Sequence, residues 1–184
     1  MSRGGLTGLF CILVLVLATT SCSAASSQAK YGPYHGRVVD METNKPIAGV
    51  AVLAIWWEAV FNPVQGKQEF YDAKEAVTDV DGRFEISKLD APFLKLGIQP
   101  AEIMFFAPGY LRNNSTTIQP GGELFVDPTV VKLQPGKTKQ ERIEFQAWIV
   151  PPIPHEKMPI FVRTLNKEIV SLGFKPLGKQ EVSK

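Results

Sequence analysis

VTDVDGRFEI, residues 77–86, admits two readings, and the choice between them sets the fold. Asp79, Asp81 and Gly82 resemble part of a calcium loop, whereas Val77, Phe84 and Ile86 are strand residues on either side of a tight turn. A calcium loop of the EF-hand kind needs acidic or amide ligands at alternate positions, a glycine, and a bidentate Glu about six residues after it. That position is Lys88, so the strongest ligand is missing. The turn reading uses every residue: Asp79 and Asp81 accept local backbone amides, Gly82 takes a positive φ, and Phe84 and Ile86 return toward a core. The stretch is read as a hairpin, and no metal site is expected.

Strand signals extend outward from it. HGRVVD (35–40) reads as a strand and METNKPIAG (41–49) as a turn-rich connection punctuated by Asn44, Pro46 and Gly49. From Val50 to Val60 the chain is β-branched and aromatic, which favours a strand. Alternation puts Val50, Val52, Ala54 and Trp56 on one face and Ala51, Leu53, Ile55 and Trp57 on the other. Both faces are apolar, so the second needs a cover: another segment of this chain, a partner or a ligand. Residues 61–76 form an aromatic-rich connection that extends a hairpin around Asn62-Pro63 and Gln65-Gly66. Further strands are expected at AVT (76–78), RFEI (83–86), EIMFFA (102–107) and LFVDPTVVKL (124–133), with turns at Pro108-Gly109 and Pro120-Gly121-Gly122. Short strands at such spacing indicate an all-β sandwich.

Four blocks in this region resemble the carboxypeptidase regulatory-like domain family. They are Gly36 to Asp40 (G-x-V-x-D), Pro46 to Val52 (P-[ILV]-x-G-[AV]-x-V), Thr78 to Phe84 (T-D-x-x-G-x-F) and Gly109-Tyr110, in the family's order. The resemblance implies a transthyretin-like (prealbumin-like) Greek-key β-sandwich of about seven strands over residues 34–135. It also implies a non-catalytic folding, adhesion or binding module, because in carboxypeptidases this domain accompanies a separate catalytic domain. The insertion at Trp56 to Ala76 and the tail after Pro135 depart from the pattern. Transthyretin relatives that hydrolyse a urate product use paired histidines, an Arg and a YRGS-type ending. Here residues 181–184 read EVSK, and that activity does not transfer.

The N-terminal segment MSRGGLTGLFCILVLVLATTSC has one charge, Arg3, an apolar run from Leu9 to Ala18, and small or hydroxylated residues before Cys22. That is the layout of a secretory signal peptide, and the run is shorter than the roughly 20 residues of a spanning helix. Ala18 to Cys22 resembles the lipobox of bacterial lipoproteins, with Thr19 where a leucine is usual. The resemblance implies a signal peptide over 1–21 and lipidation of Cys22. With Cys11 discarded, Cys22 would have no disulfide partner. The alternative is cleavage near Ala24 or Ala25, which removes both cysteines. Ser23 in place of Asp after the Cys favours the outer membrane. Residues 22–33, small and polar at their start, read as a tether. Removing the leader leaves 19 basic against 18 acidic residues, which gives no basic field for nucleic acid.

Residues 136–184 form a C-terminal extension. Thr138 to Trp148 fits strand or helix, and VPPIPHEK is extended. Pro159 to Leu172 is the one clear helix, with Pro159 in the first turn, Phe161, Leu165, Ile169 and Leu172 on one face, and Gly173 as the stop. So short a helix is marginal alone and should dock.

No enzyme is expected. His35 and His155 belong to no metal-ligand spacing, and no nucleophile elbow or phosphate loop is present. No catalytic residue and no cofactor is assigned. Trp57, Phe61, Phe70 and Tyr71 are the candidate contacts for a partner protein or a glycan, although aromatics at strand spacing more often fill a core or interface. Glu58 and Glu69 would rim such a site or keep the hairpin soluble. The sequence is thus read as an exported, lipid-anchored envelope protein that binds a protein partner, with a carbohydrate-binding module as the alternative.

Overall fold

Strand β2, Ala51–Val60, is apolar on both faces and therefore lies at the centre of the molecule rather than at its surface. The computed structural model describes residues 31–60, 67–91, 97–111, 113–117, 130–145 and 150–178. Around β2 run β1 (Tyr34–Asp40), β3 (Lys67–Val77), β4 (Arg83–Ile86), β5 (Glu102–Phe106), β6 (Asn113–Thr117) and β7 (Val130–Leu133). They form two sheets, β4-β1-β7 and β3-β2-β5-β6, in which every pairing is antiparallel except β1 with β7. Two α-helices follow, α1 (Lys139–Phe145) and α2 (Pro159–Ser171), with a 3-10 turn at His155–Lys157 between them. The molecule is a two-sheet β-sandwich with a helical C-terminal part.

The alternation along β2 divides two cores. Val50, Val52, Ala54 and Trp56 enter the space between the sheets, with Val38, Phe84, Ile86, Ile103, Phe105 and Leu133. Tyr34 stacks on Trp56 with ring centroids 6.0 Å apart, and its burial pushes the phenol pKa up to about 12. On the opposite face Ala51, Leu53 and Ile55 meet Met104 and Phe106, and this layer is closed by Ile153, Met158, Phe161, Leu165 and Ile169. The second face of β2 is thus covered by the chain itself. Each fully buried aliphatic or aromatic side chain there contributes about 1.5–3 kcal/mol. That tertiary contribution sustains a helix of 13 residues, which is marginal in isolation.

The 77–86 stretch differs from a hairpin in one respect. Gly82 has φ +73°, and Asp79 Oδ1 accepts the amides of Asp81 (2.9 Å) and Arg83 (2.8 Å), so the tight turn forms. Its two strands, however, belong to different sheets: β3 pairs with β2, and β4 pairs with β1. The physical reason lies beyond the turn, where Phe84 and Ile86 are drawn inward beside β1 while the Val38 amide donates to the Gly82 carbonyl at 2.7 Å. The turn is a corner between sheets, and the hairpin proper joins β2 to β3.

Two elements go beyond the expected set. Strand β6 pairs with β5, and Lys139–Phe145 is helical, which settles Thr138 to Phe145 and adds a second helix to the extension. Its cue is Thr138 as N-cap with Glu141 three residues on: Thr138 Oγ1 accepts the Glu141 amide at 3.0 Å, and the Glu141 carboxylate accepts the Lys137 amide, one residue before the cap, at 2.9 Å. The strand expected over 124–133 is described from Val130 onward. The leader, Cys22, Phe61 and the turns at 62–66 and 120–122 lie outside the described residues.

Candidate functional site

The polar residues of the four sequence blocks are bonded within the scaffold. Asp40 ends β1, and its Oδ1 accepts the amides of Thr43 (2.7 Å) and Glu42 (2.9 Å) and the Thr43 hydroxyl (2.9 Å). Its Oδ2 accepts the Tyr110 hydroxyl at 3.0 Å, tying the first block to the last. These donors, the Thr43 amide foremost, hold the Asp40 carboxyl below its ordinary range. The Tyr110 phenol is pushed up by burial and then by Asp40. Thr78 Oγ1 donates to the Ile47 carbonyl at 2.7 Å and accepts the Val50 amide at 2.9 Å, joining the second block to the third. A Cβ on Gly82 would run into the Val38 carbonyl oxygen.

The aromatic cluster is divided between the two faces of the sheet, and a bulge decides which residue joins Trp57. Trp56 pairs with Asp72 and Trp57 with Phe70, so Tyr71 is the extra residue on β3. Trp57 and Phe70 make an edge-to-face pair with centroids 6.2 Å apart and pack against the core beneath α2. Trp57 Nε1 donates to Glu102 Oε2 at 3.3 Å. Tyr71 instead packs against the core between the sheets. Trp57 and Phe70 are therefore brought together, Tyr71 is not, and the half-buried pair is a margin of a core rather than an open platform. Glu58 and Glu69 stand directly opposite each other farther along the hairpin, where Lys67 pairs with Glu69 at 2.8 Å.

The sequence reading missed three charged side chains that fix α2. Glu75, on β3, accepts the amides of Ile160 (2.9 Å) and Phe161 (2.6 Å), taking the place of a local N-cap. Burial raises its pKa, against the opposing pull of those amides and of Arg163. Glu168 is 1% exposed and bonds to Arg142 Nη1 (2.8 Å), the Gly109 amide (3.1 Å) and Ser171 Oγ (3.2 Å), joining α2, α1 and the Gly109-Tyr110 turn. The cue for Glu168 was its spacing: with Phe161, Thr164, Leu165 and Leu172 it falls on the buried stripe of the helix. Nothing local in the sequence pairs Glu75 with a helix 85 residues later.

The outward face of α2 forms one side of a groove of about 970 Å³. Val162, Val170 and Leu177 supply its apolar surface, and Arg163 and Lys167 stand on α2 beside them. The far wall is held by Asn166, whose Oδ1 accepts the Leu177 amide at 2.7 Å and whose Nδ2 donates to the Leu177 carbonyl at 3.5 Å. His155 lines this groove, whereas His35 lines a 560 Å³ depression with Arg37 and Arg83. Among the described residues, no group of three or more His, Cys, Asp or Glu is arranged to hold a metal ion. Nor, among them, is any helix long and apolar enough to cross a membrane.

No family model and no curated protein matches the chain. Among solved structures, a 9R-lipoxygenase from Cyanothece PCC8801 aligns at 16% identity and a TM-score of 0.30, covering 89% of this chain and 26% of that one. The chain thus spans about a quarter of that structure's length.

Proposed function

We propose that this chain is an exported envelope protein, lipid-anchored through Cys22, that acts as a non-catalytic protein-binding or assembly module on a carboxypeptidase regulatory-like, Greek-key sandwich. One contrast carries the reading. The polar residues of the four family blocks, Asp40, Thr78 and Tyr110, are bonded within the scaffold, whereas the groove along α2 is mostly apolar and opens outward. Residues committed to turn and sheet bonds serve folding, and an outward apolar groove serves association. The sheet orders β4-β1-β7 and β3-β2-β5-β6, with the chain passing between sheets after β1, β3, β4 and β6, support the Greek-key type. The lipobox-like Ala18 to Cys22 supports the anchor and a location on the outer membrane or its periplasmic face.

Site-specific photocrosslinkers placed at Trp57 and at Val170 in intact cells test the reading. A membrane or envelope protein should be trapped, and Cys22→Ser should release the chain from membranes or leave it unprocessed. Saturable binding of peptidoglycan or oligosaccharides, lost in Trp57→Ala while the fold persists, would assign the chain to the carbohydrate-binding class instead. A mature N-terminus starting unmodified near Ser26 would remove the lipid anchor.

A further inference from the structure

We infer that the groove on the outward face of α2 binds a short extended peptide segment of a partner protein, one that carries apolar side chains and acidic residues. The inference rests on the protein-binding reading above and adds the place and the chemistry. From Pro159 to Val170 the helix rises about 17 Å at 1.5 Å per residue, the span of about five residues of extended chain. The α2 surface already receives such a segment. Asn166 satisfies both the amide and the carbonyl of Leu177, holding residues 177–178 along one side of the groove. Beside that strip, half-buried Val162 lines the groove and Val170 is 56% exposed.

Charge selects the guest. The one acidic residue of α2, Glu168, is buried against Arg142, so the exposed face of the helix carries Arg163 and Lys167 without a counter-charge of its own. Around the groove Glu156 is the one lining acid, while Lys157 is paired with Asp72 at 2.9 Å and Arg163 lies within electrostatic reach of Glu75. A guest with acidic residues on its flanks and apolar residues in the groove complements this pattern, and a basic guest is repelled by it.

Fluorescence anisotropy on the full chain tests this with a labelled Glu-Leu-Glu-Leu-Glu-Leu peptide and a Lys-Leu-Lys-Leu-Lys-Leu counterpart. The acidic peptide should bind saturably and at least about tenfold more tightly than the basic one. Arg163→Glu with Lys167→Glu, two exposed sites, should reverse that order, and Val170→Asp should weaken the acidic peptide by about tenfold. Unchanged preference in the charge-reversed variant, or no binding by wild type, overturns the inference. So does saturable binding of laurate without peptide binding, which would assign the groove to an anionic amphiphile. Peptide failure with cellular crosslinks persisting through Trp57 strikes the groove alone, whereas loss of all crosslinks strikes the binding-module reading itself.

Discussion

Phe161→Ala is the most direct challenge to the idea that α2 is part of the fold and not an arm beside it. The side chain is 2% exposed, and its ring lies 5.9 Å from that of Phe106, on the face of the sheet turned away from the sandwich core. A buried aromatic removes roughly 200 Å² from water, and at about 25 cal/mol/Å² that corresponds to an upper value of about 5 kcal/mol. Retention of the alanine methyl lowers the figure, and the cavity left beside Phe106 and Leu165 raises it again. Buried Phe→Ala changes cost about 3–5 kcal/mol, and the upper half of that range is expected because β2 and β5 form a stiff floor unable to collapse into the space. Urea unfolding followed by far-UV circular dichroism would measure it, with Arg163→Ala on the outward face as the control, expected within about 0.5 kcal/mol of wild type. A Phe161→Ala protein within about 1 kcal/mol of wild type would refute the argument that α2 seals the second core.

Gly82→Ala should cost more than Gly49→Ala although φ is +73° and +77° respectively. Both pay about 1–2 kcal/mol for a left-handed alanine, but only at Gly82 does a Cβ meet the Val38 carbonyl, and equal midpoint shifts would remove the role given to that contact. Because the folded pKa of Asp40 is lowered, its contribution is present above the ordinary value of 3.8 and fades as pH falls through the folded value. The stability gap between wild type and Asp40→Asn should therefore be wide near about pH 7 and narrow near about pH 3, and a gap independent of pH would contradict the assignment. Calcium should not raise the melting temperature, since a ligand at 100 times its Kd adds about 2.7 kcal/mol; a rise abolished by Asp79→Ala would restore the metal reading of residues 77–86. Truncation after Pro135 uncovers Leu53 and Ile55 and should cause aggregation or dimerisation, whereas a stable monomer would make the extension dispensable.

What the sequence disclosed was periodic. The strict alternation from Val50 to Trp57 gave both faces of β2 correctly because a strand's side chains have no freedom to do otherwise, and the spacing of Phe161, Leu165, Ile169 and Leu172 gave α2 its buried stripe. The turn chemistry of Asp79 and Gly82 was legible for the same local reason. Sheet membership was not, because a tight turn fixes only the direction of the chain, while the partner of β4 is chosen by β1, more than 40 residues earlier in the chain. Phe70 and Tyr71, consecutive on β3, had to face opposite ways; which of them would join Trp57 was not legible, because the bulge that puts Phe70 on its face is marked by nothing in the composition of the stretch. Glu75 and Glu168 act on segments remote in sequence, so their roles appear only once the helix is seated.

The position of β2 between two cores has a consequence for the order in which the chain becomes complete. The sandwich strands end at Leu133, but the buried residues that close the second face extend to Ile169, 36 positions later. At about 5–20 residues per second of synthesis, Leu53, Ile55, Met104 and Phe106 would wait about 2–7 s for their cover. During that interval the chain presents a hydrophobic sheet face with no partner of its own. The sheet face is self-sufficient only when the C-terminal helix of the same chain arrives, so completion of the fold waits on the last element to be made.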